Sequence, residues 1–185
     1  MRQAIDQQIA ISGVGGQGVL FVTRLLAEAA IRKGLPVMTS ETHGMAQRGG
    51  TVISHLKVGA FTSPLIRTGQ ADVFLALKAE GAGQHGHYLR RRGWAVVNGV
   101  SPDDKTTPGQ WFWLDADDLA HGIGNPKAVN LVVLGGALGG AGAPPLFCTM
   151  EEIQAVLAER LAAKTALLEI SYKAMAAGLQ AVSPP

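Results

Sequence analysis

Gly13-Val14-Gly15-Gly16-Gln17-Gly18 reads G-x-G-x-x-G. Set between a strand and a helix, glycines at that spacing suit one kind of chemistry. Glycine tolerates positive φ and lets the backbone come close to a ligand, while the following helix N-terminus offers free N–H groups and partial positive charge. A pyrophosphate fits such a turn. The same glycines would also serve a tight turn with close helix–strand contact and no ligand, and both readings stand. Glu41 lies 23 residues beyond Gly18, where a nicotinamide-binding protein carries its ribose-binding acid.

A second cluster runs from Ser40 to Gly50. Glu41, Thr42, His43, Gln47 and Arg48 put a carboxylate, a hydroxyl, an imidazole, an amide and a guanidinium within eight residues. Arg48 could grip a carboxylate or phosphate in bidentate fashion, and His43 could titrate near neutral pH. The alternative is a structural loop in which Glu41 pairs with Arg48. Other candidates are weaker. His85 and His87 are two apart with no third ligand nearby, so no metal site is expected, and both read as a solvated helix end. Arg90-Arg91-Arg92 reads as a basic helix terminus near its negative dipole end. Trp111 and Trp113 read as core or interface, and Cys148 as a buried apolar filler.

The elements that must position these residues follow from periodicity. Gln8 to Ser12 is a short apolar run ending in glycines, the pattern of a buried strand. Val19 to Lys33 carries apolar residues at helical spacing, and Gly34 stops it with Pro36 just beyond. Leu35 to Ser40 is a second strand, giving a βαβ unit and so a parallel sheet. Glu41 to Gly50 reads as a loop. Thr51 to Val58 alternates, which marks a strand that is antiparallel or at an edge. Asp72 to Leu77, Trp94 to Asn98 and Trp111 to Leu114 are further strands. Gly83 to Arg92 reads as helical, and Asp115 caps a short helix to His121. Asn130 to Ala141, Glu151 to Ala163 and Thr165 to Gln180 read as three C-terminal helices. The expected fold is a single α/β domain over residues 1–185: three-layer, Rossmann-like, with a mostly parallel sheet.

Composition narrows the function classes. The chain has 185 residues, 47% hydrophobic and 16% charged, with a net charge of +2. That excludes bulk disorder and gives no reason to expect nucleic acid as a partner. The single cysteine excludes an internal disulfide, a cysteine-rich zinc site and an iron–sulfur cluster, and a reducing, cytoplasmic setting is expected. Met1 to Gln8 is polar and reads as no signal peptide. The longest charge-free stretch, Ala128 to Met150, carries Gly135, Gly136, Gly139, Gly140 and Gly142 before Pro144 and Pro145. These residues read as close helix packing in a core rather than a membrane span.

Together, the glycine turn, Ser-Glu-Thr-His-Gly-Met-Ala-Gln-Arg-Gly-Gly and the strand from Thr51 closely resemble the gamma subunit or domain of the 2-oxoacid:ferredoxin oxidoreductases. Ala71-Asp72-Val73 and Asn130 to Gly135 extend the resemblance over nearly the whole chain. The Gly-Met-Ala-Gln-Arg-Gly-Gly wording is most similar to the small (beta) subunit of the indolepyruvate-type enzymes. The resemblance implies CoA-dependent oxidative decarboxylation of a 2-oxoacid, with ferredoxin as electron acceptor. It also implies a large (alpha) partner subunit carrying thiamine diphosphate, Mg²⁺ and 4Fe-4S clusters. In keeping with this, the chain lacks the thiamine-type Gly-Asp-Gly…Asn pattern. No catalytic residue is then expected on this chain alone. Gly13, Gly15, Gly16, Gln17 and Gly18 would form a loop at the sheet's carboxyl edge that could take coenzyme A, with Glu41, Thr42, His43, Gln47 and Arg48 lining the same edge. Two rivals follow from the residues themselves: a free-standing NAD(P)-dependent dehydrogenase built on the glycine loop and Glu41, and a non-catalytic nucleotide-binding interaction module.

Overall fold

The computed structural model describes residues 5–43, 50–101, 108–139 and 142–182. The glycine turn separates β1 (Gln7–Val14) from α1 (Val19–Arg32), and β2 (Val37–His43) and β3 (Thr51–Val58) follow. β4 (Ala71–Ala76) leads into the short α2 (Ala79–His85), then β5 (Leu89–Asn98) and β6 (Gln110–Leu114). The chain closes with α3 (Ala116–Gly122), α4 (Val129–Gly139), α5 (Met150–Arg160) and α6 (Thr165–Ala181). Asp115 caps α3 as expected, accepting from the Asp118 N–H at 2.9 Å.

The six strands form one sheet in the order β2-β3-β1-β4-β5-β6. β1, β4, β5 and β6 pair in parallel. β3 is antiparallel to both neighbours, and it is an interior strand rather than an edge. β1 and β2 therefore run the same way, as a βαβ unit requires, but β3 is wedged between them. The sequence pattern missed this because β3 arrives after β2, and local periodicity carries no record of which strands become neighbours. β2 also extends to His43, three residues into the segment read as a loop.

One segment departs more sharply from expectation. The helical reading of Gly83 to Arg92 holds only as far as α2 and a 3-10 turn over Gly86–Tyr88. Leu89, 1% exposed, anchors the start of β5 instead, so the three arginines lie on a strand. Pairing passes from Ala71–Leu89 to Val73–Trp94, leaving Arg90 to Gly93 as a bulge. Arg90 pairs with Asp72 at 2.8 Å.

The two faces of the sheet are covered unequally. One carries Ile9, Ile11, Leu56, Val73, Leu75, Val96 and Phe112 beneath α1 and the C-terminal helices. α4 needs burial on every side because it is apolar all round; nine of its residues are buried. It lies close against α6, as its glycines imply. A Cβ on Gly135 would overlap the Met175 carbonyl, and one on Gly178 would overlap the Val132 carbonyl. The other face holds a smaller cluster around Phe74, Ile53 and Ala95, with Trp111 stacked on Trp113 at 6.4 Å. It is roofed by α2, the Tyr88 turn and Ile66.

His55 lies under that thin roof, 1% exposed, edge-on to the Tyr88 ring at 5.2 Å. Its Nδ1 is buried without a hydrogen-bond partner among the described residues. Burial pushes the imidazole below its ordinary value of 6.5, and the charges of His85 and Lys57 act in the same direction. Below that value the unfolded chain binds a proton that the folded chain refuses. Stability therefore falls as pH drops below about 6.5. His55→Phe keeps the ring contact and removes the orphaned nitrogen. It is expected to raise stability by about 1 kcal/mol and to shrink the loss between about pH 7.5 and 5. Urea midpoints at both pH values test this, and an unchanged pH dependence would refute it.

Candidate functional site

The carboxyl edge of the sheet gathers the two segments that the sequence singled out. The Gly15 N–H donates to the Gly50 carbonyl at 3.3 Å, and Val14 pairs with Thr51. The glycine turn and the end of the polar loop are thus in direct backbone contact. Gln47 and Arg48 lie outside the described residues, and of His43 only the backbone, at the end of β2, is described.

The glycines divide by role. Gly13 is buried, and a Cβ there would meet Val19 Cγ2 at 2.8 Å, so this residue serves the strand–helix contact. Gly15 and Gly16 are exposed at the tip. Gly16 and Gly18 have φ of +94° and +85°, a region costly for any residue with a Cβ. Gln17 braces the turn: its Oε1 accepts from the Val14 N–H at 2.8 Å, and its Nε2 donates to the Leu77 carbonyl at 3.4 Å.

Gly18 is also the N-cap of α1, and no side chain caps that helix. The first turn of a 14-residue helix therefore keeps N–H groups and positive partial charge for an anion. A groove of about 450 Å³ opens beside it. Val14, Leu20, Phe21 and Val52 give it an apolar wall, and Arg24 and Arg160 give it charge. Arg160 is held by Glu28, Nε to Oε2 at 2.7 Å, whereas Arg24 has no ion pair among the described residues. The groove thus offers anion-binding backbone, one free guanidinium and an apolar floor. That combination suits a ligand with a phosphate end and an uncharged arm. No motif marks Leu20, Phe21 and Arg24 as site residues in the sequence, although their spacing puts them on one face of α1. Arg160, 136 residues from Arg24, had no local signal at all.

Glu41 and Thr42 are exposed on β2. Because β3 intervenes, β2 lies two strand spacings, about 10 Å, from β1. A ribose-binding acid needs its strand beside β1, so this order weakens the nicotinamide reading. Ser12 Oγ and His85 Nδ1 lie 2.7 Å apart, and His85 is half-buried against the sheet rather than solvated. Burial, with His87 adding to it, lowers the His85 pKa. The pair resembles a nucleophile and its base, but Ser12 is fully buried and cannot meet a substrate.

Cys148 is 4% exposed. Burial, reinforced by Glu152, pushes its thiol up to about 12. One buried thiol cannot supply the thiolates of an iron–sulfur cluster, so such a cluster does not fit the residues of this chain. Among the described residues, no helix is long and apolar enough to cross a membrane.

Residues 8–181 match the family described as pyruvate ferredoxin/flavodoxin oxidoreductase. Indolepyruvate oxidoreductase subunit IorB of Archaeoglobus fulgidus is 32% identical, over 95% of each chain. The subunit of the same name from Thermococcus kodakarensis is 30% identical, over 95% of this chain and 96% of its own. Among solved structures, a keto/oxoacid ferredoxin oxidoreductase gamma subunit from Geobacter sulfurreducens superposes with a TM-score of 0.74. It is 24% identical, with 94% of this chain and 96% of that one covered. The 2-oxoglutarate:ferredoxin oxidoreductase of Magnetococcus marinus, solved with 2-oxoglutarate, coenzyme A and succinyl-CoA bound, gives a TM-score of 0.77 at 22% identity. There the match covers 97% of this chain and 32% of that one.

Proposed function

The chain belongs to the pyruvate ferredoxin/flavodoxin oxidoreductase family, and from that premise we propose which reaction it serves and what its groove holds. It is the small subunit of a 2-oxoacid:ferredoxin oxidoreductase. The reaction is the CoA-dependent oxidative decarboxylation of indolepyruvate and related arylpyruvates, in keeping with the names of the full-length relatives. The large subunit holds thiamine diphosphate, Mg²⁺ and the iron–sulfur clusters, and ferredoxin takes the electrons. Thiamine diphosphate, when bound there, supplies the electron sink for loss of CO₂.

The observation that carries the role of this chain is the groove beside the uncapped N-terminus of α1. In this reading the backbone at Gly15, Gly16 and Gly18 approaches the pyrophosphate of coenzyme A. Arg24 pairs with a phosphate, and Leu20, Phe21 and Val52 pack against the pantetheine arm. We assign Arg48 a further contact with the anion. The edge that carries Glu41 and Thr42 faces the partner's active site and helps to screen it from water.

Co-expression with the large subunit under anaerobic conditions tests the reading. The expected product is a complex carrying thiamine diphosphate and iron that reduces viologen only with both indolepyruvate and coenzyme A. A chain that purifies alone and reduces NAD(P) would overturn it. Gly15 separates ligand contact from mere turn geometry. Its φ is ordinary, and only the Gly50 carbonyl, at 4.0 Å, lies near its Cβ position. Gly15→Val is therefore expected to leave the melting temperature unchanged. If the backbone meets the pyrophosphate, KM for coenzyme A rises roughly tenfold, equivalent to ~1.4 kcal/mol. Arg48→Ala is expected to raise it likewise. Unchanged kinetics in both variants would remove coenzyme A from this edge.

A further inference from the structure

Lys57 is a mostly buried lysine with no counter-ion among the described residues. It stands on the interior strand β3, on the thinly covered face, and is 8% exposed. Its Nζ lies 5.1 Å from the centroid of the Phe61 ring. Among the described residues no carboxylate pairs with it, nor with Arg67 nearby. Burial lowers the Lys57 pKa, and Arg67 lowers it further, as two unneutralised cations in proximity must. The acids of this region are already engaged. Asp6 Oδ1 accepts from the Ala60 N–H at 2.9 Å. Asp72 accepts from the Gln8 N–H at 2.7 Å and pairs with Arg90. A mostly buried lysine whose ammonium meets no carboxylate is unfavourable, and a second cation near it adds to that.

Both side chains line one cavity of about 480 Å³. It opens at the amino-terminal edge of the parallel strands, the opposite end of the sheet from the glycine turn. Thr62, Ser63, Thr68 and Gln8 complete a largely polar wall with hydrogen-bond donors to offer. Two cations, several donors and no acid in the lining define the complement of an oxyanion. Arg67 can meet it in bidentate fashion, and Lys57 supplies a point charge. We propose that this cavity binds a small ligand bearing a phosphate or carboxylate group, with Lys57 and Arg67 as its counter-charges.

The test is a titration of the ¹⁵N-labelled full chain with pyrophosphate and, separately, with citrate. Saturable shifts are expected at the amides around Lys57 and Arg67 for at least one of the two. Lys57→Met and Arg67→Gln are each expected to weaken that binding about tenfold or more, the loss of one charge-assisted contact. Lys57→Met keeps the volume and removes the unpaired charge, so its melting temperature should rise while binding falls. Loss of binding therefore cannot be attributed to unfolding. Shifts confined to the glycine turn, or binding unchanged in both variants, would overturn the proposal. So would an absence of anion binding in a chain whose Arg67→Glu variant no longer associates with the large subunit, because the cavity would then be a protein contact.

Discussion

Gly178→Leu is expected to leave the chain without a cooperative thermal transition. α4 and α6 meet backbone to backbone, each through a glycine set against a carbonyl of the other: Gly178 on Val132, Gly135 on Met175. Leucine at 178 collides with main chain, which has no rotamer to change, so the helices must part. α4 is buried nearly all round, and its displacement opens the larger core cluster. Overpacking costs about 1–3 kcal/mol even where side chains can yield, and a domain has only about 5–15 kcal/mol in total. Gly178→Ala gives a graded version. Helix propensity favours alanine by about 1 kcal/mol, yet its methyl still overlaps the Val132 carbonyl, so a net loss of about 2 kcal/mol is expected. Denaturant midpoints measure it. A midpoint equal to or above wild type would mean that the two helices are free to separate.

Gly18→Ala is the second large effect, and it acts at the site. Its φ of +85° costs an alanine about 1–2 kcal/mol. Its Cβ would also overlap Asn130 Nδ2, on α4. Asn130 is 8% exposed, and its Oδ1 accepts from the Leu131 N–H at 2.8 Å, so its amide cannot simply swing away. The expected loss is about 2–3 kcal/mol in stability, with a rise in KM for coenzyme A because the first turn of α1 is displaced. Asn130→Ala in the same chain separates the causes. It removes the steric part and leaves the φ part, so the double variant should recover about half of the loss. Full recovery would show that the backbone angle is unstrained for alanine. No recovery would show that Asn130 is not the obstacle.

What the sequence disclosed and what it hid follow one division. Elements written in local periodicity were legible: the strand before Gly13, the helix from Val19, the Asp115 cap and the glycine-mediated packing of the C-terminal helices. That the glycine turn and the polar loop share one edge was implied by the family resemblance, and the contact that joins them is made at Gly50, before β3. Neighbour relations were not. Nothing in Thr51 to Val58 says that it enters between two strands already made, and that insertion moves Glu41 away from β1. The error at Gly83 to Arg92 has the same origin. Arginines suit a helix end as well as a bulge, and only the burial of Leu89 against β4 decides between them. The groove was half legible: Leu20, Phe21 and Arg24 share a helix face, but Val52 and Arg160 reach it from other elements.

The wedged position of β3 also sets an order of events during synthesis. β2 has a single neighbour in the sheet, and that neighbour is β3. While the chain emerges from the ribosome, β1, α1 and β2 can exist without any way of joining into a sheet, since the strand between them has not been made. Docking waits until residue 58 has cleared the exit tunnel, and β1, β2 and β3 then close as one three-stranded unit. Until that point the apolar face of α1 has no completed surface to cover. The interval ends with the arrival of one strand.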